Sequence, residues 1–230
     1  LHGVVDRGND HVLQHLETLG HSWVTAKGPR PVPGDVALLH VDSTIVSEEY
    51  LALASQYPRT INFGTGDISK RKISRLILER GDDWDGPVIV KADLNNNGLM
   101  EDMHNRGAVN RGMPLPHPGV TVGAPYRVLD SLGDVEDRVW NDPSRVVERF
   151  VPEVDDDGGF VLRTWVFMGG RERCTRMVTT DRISKAANVL RYDPIEVPPQ
   201  LRRERKRLQF DFGKVDFVMQ GSTPVLLGAT

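Results

Sequence analysis

Apolar residues recur along this chain in two periods, and the period changes from segment to segment. Near the amino end Val12, Leu13, Leu16 and Leu19 fall on one helical face, with Asn9 placed to cap the helix and Gly20 to stop it. Residues 22–26 are a short strand candidate, and 36–41, nearly continuous in apolar residues, are a stronger one. Ser47 opens a second helix, with Glu48 and Glu49 in its first turn where the dipole favours acids. Leu51 and Ala54 take its buried side and Pro58 closes it, before a third strand over 60–63. Strand, helix, strand predicts a small parallel sheet with helices packed on it.

Over 69–81 the period is helical again. Ser69 is placed to cap, Ile73, Leu76 and Ile77 share a face, and Gly81 follows the last turn. Lys70, Arg71 and Lys72 crowd the first turn, against the dipole. A solvated basic turn and a helix start that receives an anion account for this equally well. Residues 86–98 (GPVIVKADLNNNG) then read as a buried strand, Val88-Ile89-Val90, between Gly86-Pro87 and an Asn/Gly turn. Lys91 stands where apolar residues would otherwise continue. It needs solvent or an anion such as a phosphate. The loop 95–98, ending in Gly98, is flexible enough to bring backbone N–H groups to the same anion. Taken alone, the stretch reads as a strand end with a snorkelling lysine.

Residues 99–145 carry little pattern: 113–118 (MPLPHP) form a proline-punctuated loop, and His104 and His117 read as solvated loop histidines. Residues 146–153 (VVERFVPE) read as one strand. Asp155, Asp156 and Asp157 follow as an exposed loop tip, since three adjacent residues cannot all face one ion. Residues 160–168 alternate and Gly169-Gly170 predicts a hairpin into 171–179. Val161, Arg163, Trp165 and Phe167 share one face, so Arg163 is packed, stacked or paired. Pro198-Pro199 begins a basic, solvated helix through 207. In the last hairpin, strands 214–219 and 224–227, Val215, Phe217 and Met219 share one face. That leaves Asp216 half-buried on the other, where a carboxylate wants a cation.

Composition narrows the class without naming a function. The 230 residues are 39% apolar and 27% charged, as in soluble globular proteins, and the formal charge of −3 is too small to argue for a polyanion partner, so no nucleic-acid partner is expected. The lone Cys174 excludes an internal disulfide framework, and no Cys/His run has zinc spacing. No apolar run approaches the ~18–20 residues of a membrane span, and no signal-peptide pattern is present. The expectation is a cytoplasmic protein with no membrane partner. Leu1 at the start and a strand running into the last residues lead us to expect a longer natural chain.

The order of these features resembles the ATP-grasp superfamily, particularly its glutathione-synthetase-like and peptide-ligase-like members. The resemblance is carried by Lys70 at a helix start, Lys91 ending a Val-Ile-Val strand, the Glu148…Glu153 strand, Arg163 in an antiparallel sheet and Asp216 in the terminal hairpin. It implies an α/β and α+β chain: a small N-terminal parallel α/β lobe (1–68), then a two-lobed ATP-grasp fold with an antiparallel sheet. The lobes would be 69–145 and 146–230, the second incomplete at its C-terminus. ATP would lie between them. Lys70 and Lys91 would neutralise its phosphates, and the loop ending in Gly98 would close over them. The strand holding Glu148 would read adenine, with Arg149 and Val151 contributing backbone atoms. Glu153 would take the ribose, Lys185 the phosphates or substrate, Arg163 the transferred phosphate, and Asp216 a Mg2+ ion.

The implied reaction is an ATP-dependent ligation of a small-molecule or peptide carboxylate to an amine-type acceptor through an acylphosphate. Such chemistry needs charge neutralisation rather than a protein nucleophile. One departure favours an alternative. Family members usually end Leu-Leu-Asp-x-Asn, supplying a second metal-binding acid; this chain reads Leu226-Leu227-Gly228-Ala229-Thr230. The alternative is a catalytically degenerate member that binds nucleotide, or a partner, without turnover.

Overall fold

The computed structural model describes residues 10–26, 28–120, 122–123 and 125–230. The amino-terminal part holds α1 (Asp10–Thr18), β1 (Val36–Leu38), α2 (Glu48–Ala54) and β2 (Arg59–Ile61). Next come α3 (Lys70–Ile73), β3 (Ile77–Leu78), β4 (Val88–Ala92), α4 (Leu99–Val109), β5 (Arg127–Leu129), α5 (Asp137–Trp140) and β6 (Arg145–Arg149). The remainder is β7 (Glu153–Val154), β8 (Phe160–Met168), β9 (Arg171–Thr179), β10 (Val189–Ile195), α6 (Pro199–Leu208), β11 (Phe212–Gln220) and β12 (Thr223–Ala229).

Among the described residues the strands form three sheets, giving a mixed α/β molecule. β1 and β2 are parallel, as strand–helix–strand order requires. β3-β6-β4-β5 is antiparallel, and so is the larger sheet β10-β9-β8-β11-β12, with β7 added to β8. Gly169-Gly170 turns the hairpin of β8 and β9 as expected. Each larger sheet buries alternate residues on one face. Trp165, Phe167, Val215 and Phe217, each at most 1% exposed, pack with Leu201 of α6 and Ile73 of α3. Val88, Val90 and Val147 pack with Leu78, Val135 and the rings of Trp84 and Trp140. At about 1.5–3 kcal/mol for each fully buried large apolar side chain, these two cores hold the sheets. Strand parity then decides the rest: Ile89, Lys91 and Asp216 point away from them.

Several expectations are corrected. The helix expected over 69–81 is the single turn α3. Ile73 enters the core under the large sheet while Leu78 enters the other, and one helical face cannot serve two cores. The chain therefore extends at Ser74 (ψ 141) and pairs as β3 with β6. The anion at the start of α3 belongs to the protein: Asp93 Oδ1 accepts from Arg71 N at 2.9 Å and Oδ2 faces Arg71 Nε at 3.2 Å. Of the three cations there, only Lys70 is buried. The strand expected over 146–153 is two strands in two sheets, with the crossing at 150–152. The passage between sheets thus falls after β6 rather than at 145. Residues 22–26 form no strand.

Asp155 is not an exposed tip. Its carboxylate accepts from Asp157 N and Gly159 N, faces Arg176 and Arg191, and is held below the usual carboxylate range mainly by the Gly159 bond. His104 and His117 stack at 5.7 Å, with His104 Nδ1 3.3 Å from Ser43 Oγ. Burial lowers the His117 pKa. The expected Asn9 cap, and the side chain of Val12, lie outside the described residues.

The amino-terminal lobe is fastened to the rest by side chain–backbone bonds. Asn62, at φ 65, exchanges bonds with Asp211 and Phe212. Thr44 N donates to Glu101 Oε1 at 2.6 Å.

Candidate functional site

The faces that the two larger sheets turn away from their cores enclose, with the amino-terminal lobe, a cavity of about 1040 Å³. That is the upper end of the ~300–1,000 Å³ typical of small-molecule and cofactor sites. Ile89 and Lys91 of β4 reach it from one sheet, and Lys214, Asp216 and Val218 of β11 from the other. Parity explains both sets, because their neighbours in sequence, Val88, Val90, Val215 and Phe217, fill the cores.

Lys91 is not an isolated cation. Its Nζ lies 2.6 Å from Glu148 Oε2, the side chains being 6% and 0% exposed. β4 and β6 pair Ile89 with Glu148, so the two charges meet diagonally across the ladder. Burial pushes the Glu148 carboxyl up, and Lys91 opposes that. Lys70, first residue of α3, enters from the side; its Nζ donates to Asn95 Oδ1 at 2.5 Å. Burial first, and the charge of Lys91 second, bring its pKa down to about 8. Glu148, Asp93 and Asp216 oppose the fall, which places all these charges in one electrostatic neighbourhood.

Asn95 organises this end of the cavity. Besides receiving Lys70, its Nδ2 donates to Ala229 O at 2.8 Å and its backbone N to Thr44 Oγ1 at 2.9 Å. The turn that follows is tight: Asn96, Asn97 and Gly98 all take positive φ, which asparagine and glycine tolerate best. Gly98 is buried at the start of α4, and Asn95 and Asn96 form the cavity wall in its place.

Asp216 accepts from Thr164 Oγ1 at 2.8 Å and faces Lys214 Nζ at 3.2 Å. Its partner across the β11–β12 ladder is Gly228. A Cβ at 228 would lie 3.6 Å from both Cε and Nζ of Lys70. Tyr126 also lines the cavity; burial, then Glu148 and Asp216, push its hydroxyl pKa up. At the crossing between sheets, Arg149, Val151 and Glu153 line the wall. The Arg149 guanidinium lies 5.1 Å from the centre of the Trp84 ring, and Glu153 Oε2 accepts from Met219 N at 2.8 Å and from Arg163.

The cavity thus gathers Lys70, Lys91, Glu148, Arg149, Val151, Glu153 and Asp216. It does not gather Gly98, Arg163 or Lys185. Arg163 shares the face of β8 that carries Trp165 and Phe167 and is paired to Glu153, whereas its neighbour Thr164 holds Asp216. Lys185 is exposed beside a short turn whose preceding residues, Arg182 to Ser184, reach the wall. Sequence reasoning missed Thr44, Tyr126 and Lys214. It also missed that Glu148 is the partner of Lys91, although an acid inside an apolar strand signals a buried cation nearby.

The residues present do not fit a resident Mg2+ ion. Among the described residues no three His, Cys, Asp or Glu side chains come together as a metal site. Glu148 is committed to Lys91, Asp216 faces Lys214, and the position opposite Asp216 is a glycine with an ammonium group against it. Mg2+ is held by one or two carboxylates together with substrate phosphates, and here Glu148 and Asp216 each already face an ammonium group.

No family model matches this chain, and no curated protein matches it. Among solved structures it is similar to the D-alanine–D-alanine ligase of Bacillus anthracis complexed with ATP, at 14% identity and TM-score 0.44, over 85% of this chain and 67% of that one. It is similar to a RimK domain protein ATP-grasp from Sphaerobacter thermophilus at 14% identity and TM-score 0.49, over 100% of this chain and 88% of that one. It is also similar to the ATP-grasp ligase PsnB complexed with a minimal precursor, at 16% identity and TM-score 0.40, over 79% of this chain and 58% of that one.

Proposed function

We propose that the cavity is an ATP site of the ATP-grasp kind, serving ligation of a small-molecule or peptide carboxylate to an amine-type acceptor. One observation carries this: Lys70, Lys91 and Asp216, spread over most of the chain, converge on one cleft of nucleotide size. An ammonium buried against a neutral amide, as Lys70 is, is costly until an anion arrives. The triphosphate is that anion. The crossing at 150–152 leaves backbone groups of Arg149 and Val151 to read a base edge. Glu153 commits only Oε2 to protein partners, leaving Oε1 for ribose hydroxyls.

A carboxylate resists attack by an amine while it is charged; transfer of the terminal phosphoryl group of ATP makes it an acylphosphate and releases ADP, and the amine then attacks the acyl carbon, displacing phosphate and losing a proton. This chain's part is to hold the phosphates with Lys70, keep Lys91 oriented through Glu148, and exclude water behind Tyr126 and Ile89. A second reading, nucleotide binding without turnover, is favoured by Gly228, which supplies no acid opposite Asp216.

Two measurements test the pair. Melting temperature against ATP reports binding: about 2.7 kcal/mol of stabilisation is expected at a hundred times Kd. ADP release across a panel of carboxylates and amines reports turnover. No thermal shift refutes the site; a shift with no ADP release across the panel leaves the second reading standing.

A further inference from the structure

At the Lys70 end of the cavity stand three ammonium groups, Lys70, Lys91 and Lys214, with Glu148, Asp216 and Glu101 on the walls and Asp93, which faces Arg71, beside them. The pairing is definite. Lys91 faces Glu148 at 2.6 Å and Lys214 faces Asp216 at 3.2 Å. Lys70, 6% exposed, has the neutral amide of Asn95 as its hydrogen-bond partner. Lys70 is therefore the one of the three with no carboxylate at ion-pair distance among the described residues, and it sits against Gly228, directly across the ladder from Asp216.

We propose that Lys70 stands in for a divalent cation, so that this cleft takes a nucleotide polyphosphate without metal. The proposal rests on the nucleotide site argued above and adds how its charge is balanced. An acid at 228 would point at the ammonium and neutralise it, and a dication beside it would meet a like charge. The glycine keeps the ammonium available. Nothing in the backbone requires glycine there: it has no left-handed φ, and a Cβ would make ordinary van der Waals contact at 3.6 Å. A Cβ at 228 is thus sterically admissible, and Gly228→Asp brings a carboxylate to Lys70.

The test is calorimetric titration of the full chain with ATP, in EDTA and again in excess Mg2+. For the wild type, Mg2+ is expected to leave Kd unchanged or to weaken binding. Gly228→Asp should lose about tenfold or more of the metal-free affinity and recover it with Mg2+, tenfold being about 1.4 kcal/mol. Lys70→Met should lose metal-free binding. Wild-type affinity that is more than about tenfold tighter with Mg2+ overturns the proposal. So does a folded Gly228→Asp protein that binds metal-free ATP as the wild type does. Should Gly228→Asp fail to fold, the wild-type comparison and Lys70→Met still decide. Absence of ATP binding in both buffers overturns the nucleotide site itself, and the metal-free proposal with it.

Discussion

Lys70 should cost the ligand-free protein stability, and Lys70→Met should recover it. The lysine falls from its ordinary 10.5 to about 8. At 1.36 kcal/mol per pK unit, holding it charged at neutral pH costs about 3 kcal/mol. Between those two pH values the folded chain binds fewer protons than the unfolded one. The penalty is therefore full below about pH 8 and is relieved as pH rises from there through 10.5. Methionine fills nearly the same volume without charge. It forfeits the bond to Asn95 Oδ1, worth about 1 kcal/mol, so the expected net gain is about 2 kcal/mol. For a chain of this size that is a rise in Tm of about 4–8 °C. Thermal melts of both proteins at about pH 7 and pH 10 read it, and the advantage of methionine should shrink by roughly 2 kcal/mol at the higher pH. ATP should raise the Tm of the wild type and not of the variant. A variant less stable than wild type at both pH values would show that Lys70 is compensated within the protein and carries no net cost of burial.

Other outcomes follow from the same geometry. Lys91→Met leaves Glu148 buried without its cation and should destabilise by about 3–5 kcal/mol in denaturant melts. Lys91→Met with Glu148→Leu should restore most of that loss, and additive losses in the double-mutant cycle would show that the pair is not coupled. Phe217→Ala, at 0% exposure in the core under the large sheet, should cost about 3–5 kcal/mol in the same melts; a loss below 1 would mean that β11 is not packed there. Cys174 is buried and its thiol is pushed up to about 11, chiefly by burial. A maleimide should therefore leave the native chain unlabelled and label it once per chain in denaturant; rapid native labelling would contradict the burial.

Where parity and local propensity agree, the sequence was readable. The alternation over 160–168 and 214–219 placed Trp165, Phe167, Val215 and Phe217 in a core and Asp216 on the opposite face, as found. What was not readable depended on which sheet a short segment joins. Ile73, Leu76 and Ile77 have helical spacing, yet the competition of two cores ends the helix after one turn. The stretch 146–153 is uniformly strand-like, but Pro152 cannot donate to a ladder, and the chain changes sheets there. Lys70 and Lys91 were legible as charges out of place. Their partners were not, because Asn95, Glu148 and Gly228 reach them through tertiary contacts that spacing does not encode.

The contact between Lys70 and Gly228 depends on a detail of the last hairpin. Phe217 pairs with Leu226, so a regular antiparallel ladder would set Asp216 opposite Leu227. The register instead shifts between Asp216 and Phe217, and Asp216 pairs with Gly228. Leu227 and Gly228 together face one residue, as in a β-bulge, so both turn toward the cavity while Leu226 and Ala229 stay in the core. Were the ladder regular over the same sequence, Leu227 would face Asp216 and Gly228 would take the place of Ala229 opposite Val215, in the core. The extra residue is what sets the glycine, rather than a leucine, against Lys70. Deleting Leu227 should therefore leave a regular hairpin in which Gly228 still faces Asp216 and Ala229 still faces Val215. The expected result is unchanged metal-free nucleotide affinity with the Phe217 core retained. Loss of that affinity in a folded deletion would show that the bulge itself, and not the glycine opposite Asp216, leaves Lys70 available.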